Sequence, residues 1–318
     1  MSIIDKKNEK IWINNINSIL NDDDLIILYK WSYDEKIKKW FINLYDKFID
    51  FMKEHSISLC DELRFYKSQT SKILLCNKSD DFVINNRVLC ISSYKRSETF
   101  PPFNFDPNDI KKEILIRSCH TNCENFHSFP LGVFDRDDIE MIADTYRFRT
   151  FNKIKDILSS RLNKSKSIKN YAYFMQSATL NKDSKIFNPR YVELCKVCND
   201  SKYVSLSQNQ AGYWDDASNH LFNISVSWNC IESTKLWESL YMGVIPIVIE
   251  YYEENNFIEN YYKDLPILYI KDLDLLNSED FLMESYKLIM SKMEEYNFDK
   301  LRMSYWYKFL CDLENKCV

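Results

Sequence analysis

Residues 213–248 read YWDDASNHLFNISVSWNCIESTKLWESLYMGVIPIV, and the architecture of the chain can be worked out from this stretch. A short polar helix near 215–219 leads to an apolar run at 221–226 and a polar loop at 227–231. An amphipathic segment from Glu232 to Met242, then Gly243, then a second apolar run at 244–249 complete it. Strand, loop, helix, glycine and buried strand in that order make a parallel crossover unit, because parallel strands need a connection of this length between them. In open parallel sheets, ligands sit at the carboxyl ends of strands against the start of the following helix. Ser227, Trp228 and Asn229 in the loop, and Glu232 at the expected helix start, stand at such a place.

On this helix Glu232, Lys235, Glu238 and Ser239 share one face at spacings of three and four, while Leu236, Trp237, Leu240 and Tyr241 can face the protein. Opposite charges at that spacing read as a solvated ladder. A cation and two carboxylates beside a helix N-terminus, with its free N–H groups and dipole, also suit an anion such as a diphosphate. Spacing alone favours the ladder.

Working outward, the alternation continues. Residues 171–175 read as a strand, Asn188-Pro189 as an N-cap and first helical position, and Tyr191, Leu194, Cys195 and Cys198 as one helix face. A strand at 203–206 follows, and beyond the central stretch come a strand at 267–270 and a helix from about 278 carrying Leu282, Tyr286, Ile289 and Met293. A terminal helix carries Leu301, Trp306, Phe309 and Leu310. Nearly continuous apolar strands alternating with helices predict a parallel sheet covered on both faces. Upstream, residues 8–55 read as helical, followed by apolar runs at 72–76, 88–91 and 114–116 and a turn at Phe129-Pro130-Leu131-Gly132. The polar, serine-rich stretch 159–170 is the expected linker, giving domains 1–165 and 166–318.

Composition narrows the chemistry. The 318 residues include only 3 glycines, where ordinary usage would give about 22. Glycine-rich loops that cradle a dinucleotide or a triphosphate are therefore excluded. Hydrophobic residues make up 45% and aromatics 15%, enough for one large or two medium cores. The 42 basic and 47 acidic residues are interspersed at net charge −5, so no field attracts nucleic acid or a membrane surface. With neither an apolar leader nor a run of membrane-spanning length, a soluble cytoplasmic protein is expected, and its ten cysteines read as reduced and buried.

Phe222, Ser225, Trp237-Glu238, Leu240, Gly243 and Ile245-Pro246-Ile247-Val248 stand in an order and spacing that resembles the donor-binding motif of exostosin-like glycosyltransferases and the related ribitol xylosyltransferases. That motif runs approximately F-x-x-S-P-x-G-x-G-x-D-x-x-R-x-W-E-A-L-x-x-G-x-I-P-I-V. Shorter stretches are similar to other parts of the family: Leu75-Cys76-Asn77-Lys78-Ser79-Asp80-Asp81, His127-Ser128-Phe129-Pro130-Leu131-Gly132, Tyr173-Phe174 through Arg190, and Asp264-Leu265-Pro266-Ile267. The likeness covers about 70 to 318 in patches and is strongest at 222–248.

The resemblance implies a GT-B-like α/β fold: two Rossmann-like domains with parallel sheets facing a cleft, preceded by N-terminal helices, with acceptor on 1–165 and donor on 166–318. It implies an inverting, metal-independent hexosyl- or pentosyltransferase. A UDP- or GDP-linked sugar would be the donor, a glycan or other hydroxyl the acceptor, and no cofactor would be needed. Carried over by position, Glu238 would accept from the donor ribose hydroxyls and Lys235 would neutralise the diphosphate, with Glu232 at the motif's Asp position. Arg190, in the first turn of its helix, falls where the family has a donor-contacting arginine; a surface ion pair is the other reading.

The general base should come from the first half. Adjacent carboxylates can raise one another's pKa, which makes Asp81 the first choice and Asp80 the second, with His120 and Asp135 behind them; the same residues also read as a polar turn. Trp214 and Trp228 could stack on a base or sugar. Cys195 and Cys198 with Cys119, His120 and Cys123 could be drawn as a zinc site, but two of them lie on an apolar helix stripe, and no metal is expected. Asp135-Arg136-Asp137 and Asp272-Leu273-Asp274 mimic a D-x-D metal motif by chance in a chain with 28% charged residues. The sequence also departs from the motif. Trp228 and Cys230 replace its glycines, and Glu232 and Lys235 its Asp and Arg, exchanging a bidentate fork for a point charge. A glycosyltransferase-like protein that binds without turnover is the alternative function.

Overall fold

A computed structural model describes residues 5–22, 24, 57–59, 73–76, 88–91, 114–117, 126–130, 132–133, 151–163, 171–176, 189–208, 212–226, 233–249, 257–302, 304–306, 308–309 and 312. Two parallel five-stranded sheets organise them. The first contains β1 (Ile57–Leu59), β2 (Ile73–Cys76), β3 (Val88–Ile91), β4 (Ile114–Arg117) and β5 (Phe126–Phe129), paired in sequential order. The runs read as strands at 72–76, 88–91 and 114–116 are β2, β3 and β4. β1 and β5 are strands that periodicity does not reveal: in β1 Ser58 interrupts the apolar residues, and β5 runs directly into the turn at Pro130. Gly132 follows at φ +74°, a conformation that disfavours residues with a Cβ.

The second sheet contains β6 (Ala172–Met175), β7 (Val204–Ser207), β8 (Phe222–Val226), β9 (Ile245–Ile249) and β10 (Leu268–Tyr269). Its spatial order is β10-β9-β8-β6-β7, all parallel. The chain steps one way from β6 to β7 and the other way from β8 through β9 to β10. Right-handed crossovers then place the helices that follow β6 and β8 on opposite faces.

Ring and hydrogen-bond contacts bear this out, because successive strand residues point to opposite faces. On one face Phe174 meets Tyr191 of α3 (Pro189–Asp200), and Phe222 meets Tyr286 of α7 (Glu279–Ser291). On the other, Tyr173 meets Tyr213 of α4 (Tyr213–Ser218), and Asn223 bonds to Ser239 of α5 (Thr234–Tyr241). Beyond β9, Tyr262 of α6 (Phe257–Tyr262) packs edge-on against Trp237.

The N-terminal helix α1 (Lys6–Asn21) and the helix α2 (Phe151–Asn163) belong to the compact unit built on the second sheet, although the expected boundary at 165 placed both with the first domain. The reason is burial. Trp12, Ile13, Ile16, Ile19 and Leu20 line one stripe of α1, and Ile154, Ile157 and Leu158 offer the apolar face of α2. Trp12 also donates its indole N–H to the carbonyl of Leu240 at 3.0 Å, tying α1 to the end of α5. Among the described residues, no helix is long and apolar enough to cross a membrane.

Candidate functional site

The strand order reverses between β6 and β8, and doubly wound sheets hold ligands outside the carboxyl ends of the strands at such a point. β6 ends at Met175 and β8 at Val226, and α5 starts at Thr234 with Ser233 as its N-cap. The Ser233 hydroxyl accepts from the Lys235 N–H at 3.3 Å, satisfying one of the open donors of the first turn.

Lys235 reaches from the first turn of α5 to the end of β6. Its ammonium donates to the carbonyl of Met175, the last residue of β6, at 2.8 Å and lies 5.7 Å over the ring of Phe174. It is only 9% exposed, and Glu238, one turn further along α5, has no exposed surface. These values rule out the solvated charge ladder that spacing favoured. α5 has eight residues, and every one from Lys235 to Tyr241 is buried, so it has no solvated face there.

α3 brings Cys195 to Gln176, the residue that follows β6. Burial pushes the Cys195 thiol above its ordinary range, while hydrogen bonds with Tyr191 and Gln176 and the charge of Lys235 act in the other direction. Cys198, buried deeper, is pushed up further by the same loss of solvation.

Arg190 lies in the first turn of α3, and its guanidinium donates to the carbonyl of Lys271, just beyond β10. The helix expected from Glu232 begins at Thr234 with Ser233 as its N-cap. Trp214, considered as a stacking platform, is 3% exposed within α4 and belongs to the core. Asp272 acts locally, its carboxylate accepting from the Asp274 N–H at 2.9 Å and capping the turn at 273–277. Asp80, Asp81, His120, Asp135, Ser227, Trp228, Asn229 and Glu232 lie outside the described residues, as do Cys119 and Cys123. Among the described residues, no group of three or more His, Cys, Asp or Glu side chains could hold a metal ion.

Two participants escaped the sequence reading: the Met175 carbonyl and Gln176. One signal was available for Gln176, a polar residue directly ending an apolar strand. The Met175 carbonyl carries no side-chain signal at all.

No family model matches the chain, and no curated protein matches it. Among solved structures, an α1,3-fucosyltransferase with GDP aligns over 92% of this chain and 89% of its own at 13% identity, with a TM-score of 0.49. A spinosyn rhamnosyltransferase complexed with spinosyn aglycone aligns over 97% of this chain and 78% of its own at 8% identity, with a TM-score of 0.29.

Proposed function

We propose that the chain is a glycosyltransferase of GT-B architecture that moves a sugar from a nucleotide-diphosphate sugar to a hydroxyl acceptor, with the donor held on the 166–318 half. The observation that carries this reading is the nearly buried ammonium of Lys235 at the strand-order reversal of the second sheet, inside the segment with the family-like motif. A charge in such a low-dielectric setting acts on a phosphate more strongly than an exposed lysine does.

In this reading the acceptor oxygen attacks the anomeric carbon as the bond to the diphosphate breaks. The bonding pair leaves on the diphosphate, where Lys235 and the first N–H groups of α5 meet it, with Arg190 as a second phosphate ligand. The acceptor proton passes to Asp81, or to Asp80. Displacement in one step inverts the anomeric centre. Glu238 accepts from the ribose hydroxyls once the donor has entered. No metal or cofactor takes part, and the setting is cytoplasmic.

A thermal-shift panel of UDP- and GDP-linked sugars tests the proposal. One donor is expected to raise Tm, with the rise lost in Lys235→Met and in Glu238→Gln. If no donor in a broad panel shifts Tm, the proposal fails. Trp228 and Cys230 at the motif's glycine positions favour a second reading, donor binding without turnover. Turnover abolished by Asp81→Asn would exclude it.

A further inference from the structure

Asn223 is a fully buried amide in β8, between the apolar Phe222 and Ile224. Its Nδ2 donates to the hydroxyl of Tyr213 at 2.6 Å and to Oγ of Ser239 at 2.7 Å. The Ser239 hydroxyl, also fully buried, donates in turn to the carbonyl of Lys235, one turn back on α5. Lys235 then reaches the carbonyl of Met175. Buried hydrogen bonds thus link α4, β8 and the Lys235 backbone of α5, and the Lys235 side chain carries the connection on to the end of β6.

We infer that Asn223 and Ser239 are positioning residues, which anchor the first turn of α5 to the sheet and so set where the Lys235 ammonium stands. A serine bonded back to the carbonyl four residues earlier slightly loosens and bends a helix. Here Asn223 holds the same hydroxyl from the sheet side, so the bend has a fixed direction. α5 begins only one residue before Lys235, which makes the Lys235 carbonyl the handle by which the sheet can hold that turn. The amide is not a space filler. Among the described residues its Oδ1 has no partner, a cost that an apolar side chain of similar size would avoid. The family-like motif has alanine where Ser239 stands, so this hydroxyl belongs to the present chain. The consequence for phosphate binding rests on the proposed role of Lys235, but the positioning can be tested without any donor.

The test is the rate at which acetic anhydride acetylates Lys235 in the intact protein, followed by peptide mass spectrometry alongside Tm. Ser239→Ala is expected to raise that rate about fivefold, the change in opening that one net hydrogen bond controls. Asn223→Ser, too short to span Tyr213 and Ser239, is expected to do the same; if it does not fold, Ser239→Ala carries the test. Tyr241→Phe is the control. It removes another buried bond of the same helix, from the Tyr241 hydroxyl to the Leu301 carbonyl at 2.7 Å, and should lower Tm while leaving Lys235 at its wild-type rate. A wild-type rate in Ser239→Ala, or equal acceleration in Ser239→Ala and Tyr241→Phe, overturns the inference. Inorganic pyrophosphate added to the same assay separates the two ideas. Protection of wild-type Lys235 that weakens in Ser239→Ala supports both, whereas acceleration in Ser239→Ala without any protection in wild type keeps the positioning and removes the phosphate role.

Discussion

Burial decides what each charged side chain contributes. Lys153 and Asp215 pair at 2.7 Å while 38% and 62% exposed, so truncating either should change stability by about 0–1 kcal/mol. Arg161 and Glu9 pair at 2.8 Å with each side chain only 7% exposed, and Arg161 also donates to the carbonyl of Ser218 at 3.0 Å. Arg161→Ala would leave the Glu9 carboxylate buried without that partner. The expected loss is about 3–5 kcal/mol, read from the midpoint of denaturant unfolding. Lys153→Ala serves as the exposed comparison. The same distinction governs Lys235 and Glu238. Their spacing of three residues is identical in a solvated ladder and in a buried site, so the sequence marks the residues without showing which of the two they form.

At the level of elements, α5 and the turn after it are the most legible part of the chain. Gly243 adopts φ +67°, with its N–H bonded to the Leu240 carbonyl at 3.2 Å and the Val244 N–H to the Ser239 carbonyl at 2.9 Å. This pair of bonds closes the helix in a Schellman motif. In a chain with so few glycines, one standing between an amphipathic segment and a buried strand points to such a turn. A Cβ at Gly243 would meet Arg161 Nε at 3.6 Å and Ile13 and Leu158 at 3.9 Å, all ordinary contacts. The cost of Gly243→Ala is therefore backbone strain alone, about 1–2 kcal/mol, and the denaturant slope should stay unchanged. The helix starts two residues later than its charge spacing suggests, because Glu232 continues that spacing while the Ser233 hydroxyl caps the backbone after it. Strands long enough to show a continuous apolar run are legible. β1 is not, because Ser58 separates its two apolar residues and no apolar run forms.

For the whole molecule, α1 is the element whose place matters most. Residues 1–21 carry the Trp12 bond to Leu240 and the Glu9 bond to Arg161, and they cover the apolar face of α2. Deleting them should expose that face and unfold the second sheet's unit at ordinary temperature, seen as loss of the cooperative thermal transition. Alkaline stability gives a second check. Burial pushes Tyr286 from 10.0 up to about 12; the charges of Glu9 and Asp5 add to this, and a hydrogen bond with the Asp5 backbone and the charge of Arg161 oppose it. The unfolded chain loses this proton near pH 10, but the folded chain keeps it to about pH 12, so stability falls as pH rises through that window. Tm measured against pH should decline there, and Tyr286→Phe should flatten the decline. The sequence by itself determined a parallel α/β architecture, the helix and turn around Gly243, and the residues worth testing. Those are properties of periodicity and backbone geometry over a few neighbouring positions. Only the tertiary structure decided the order β10-β9-β8-β6-β7, the packing of α1 into the unit built on the second sheet, the burial of Lys235 and Glu238, and the reach of Lys235 to Met175. Each depends on residues far apart in the chain, and the carbonyls of Met175 and Leu240, which take part as acceptors, belong to the backbone that every residue shares.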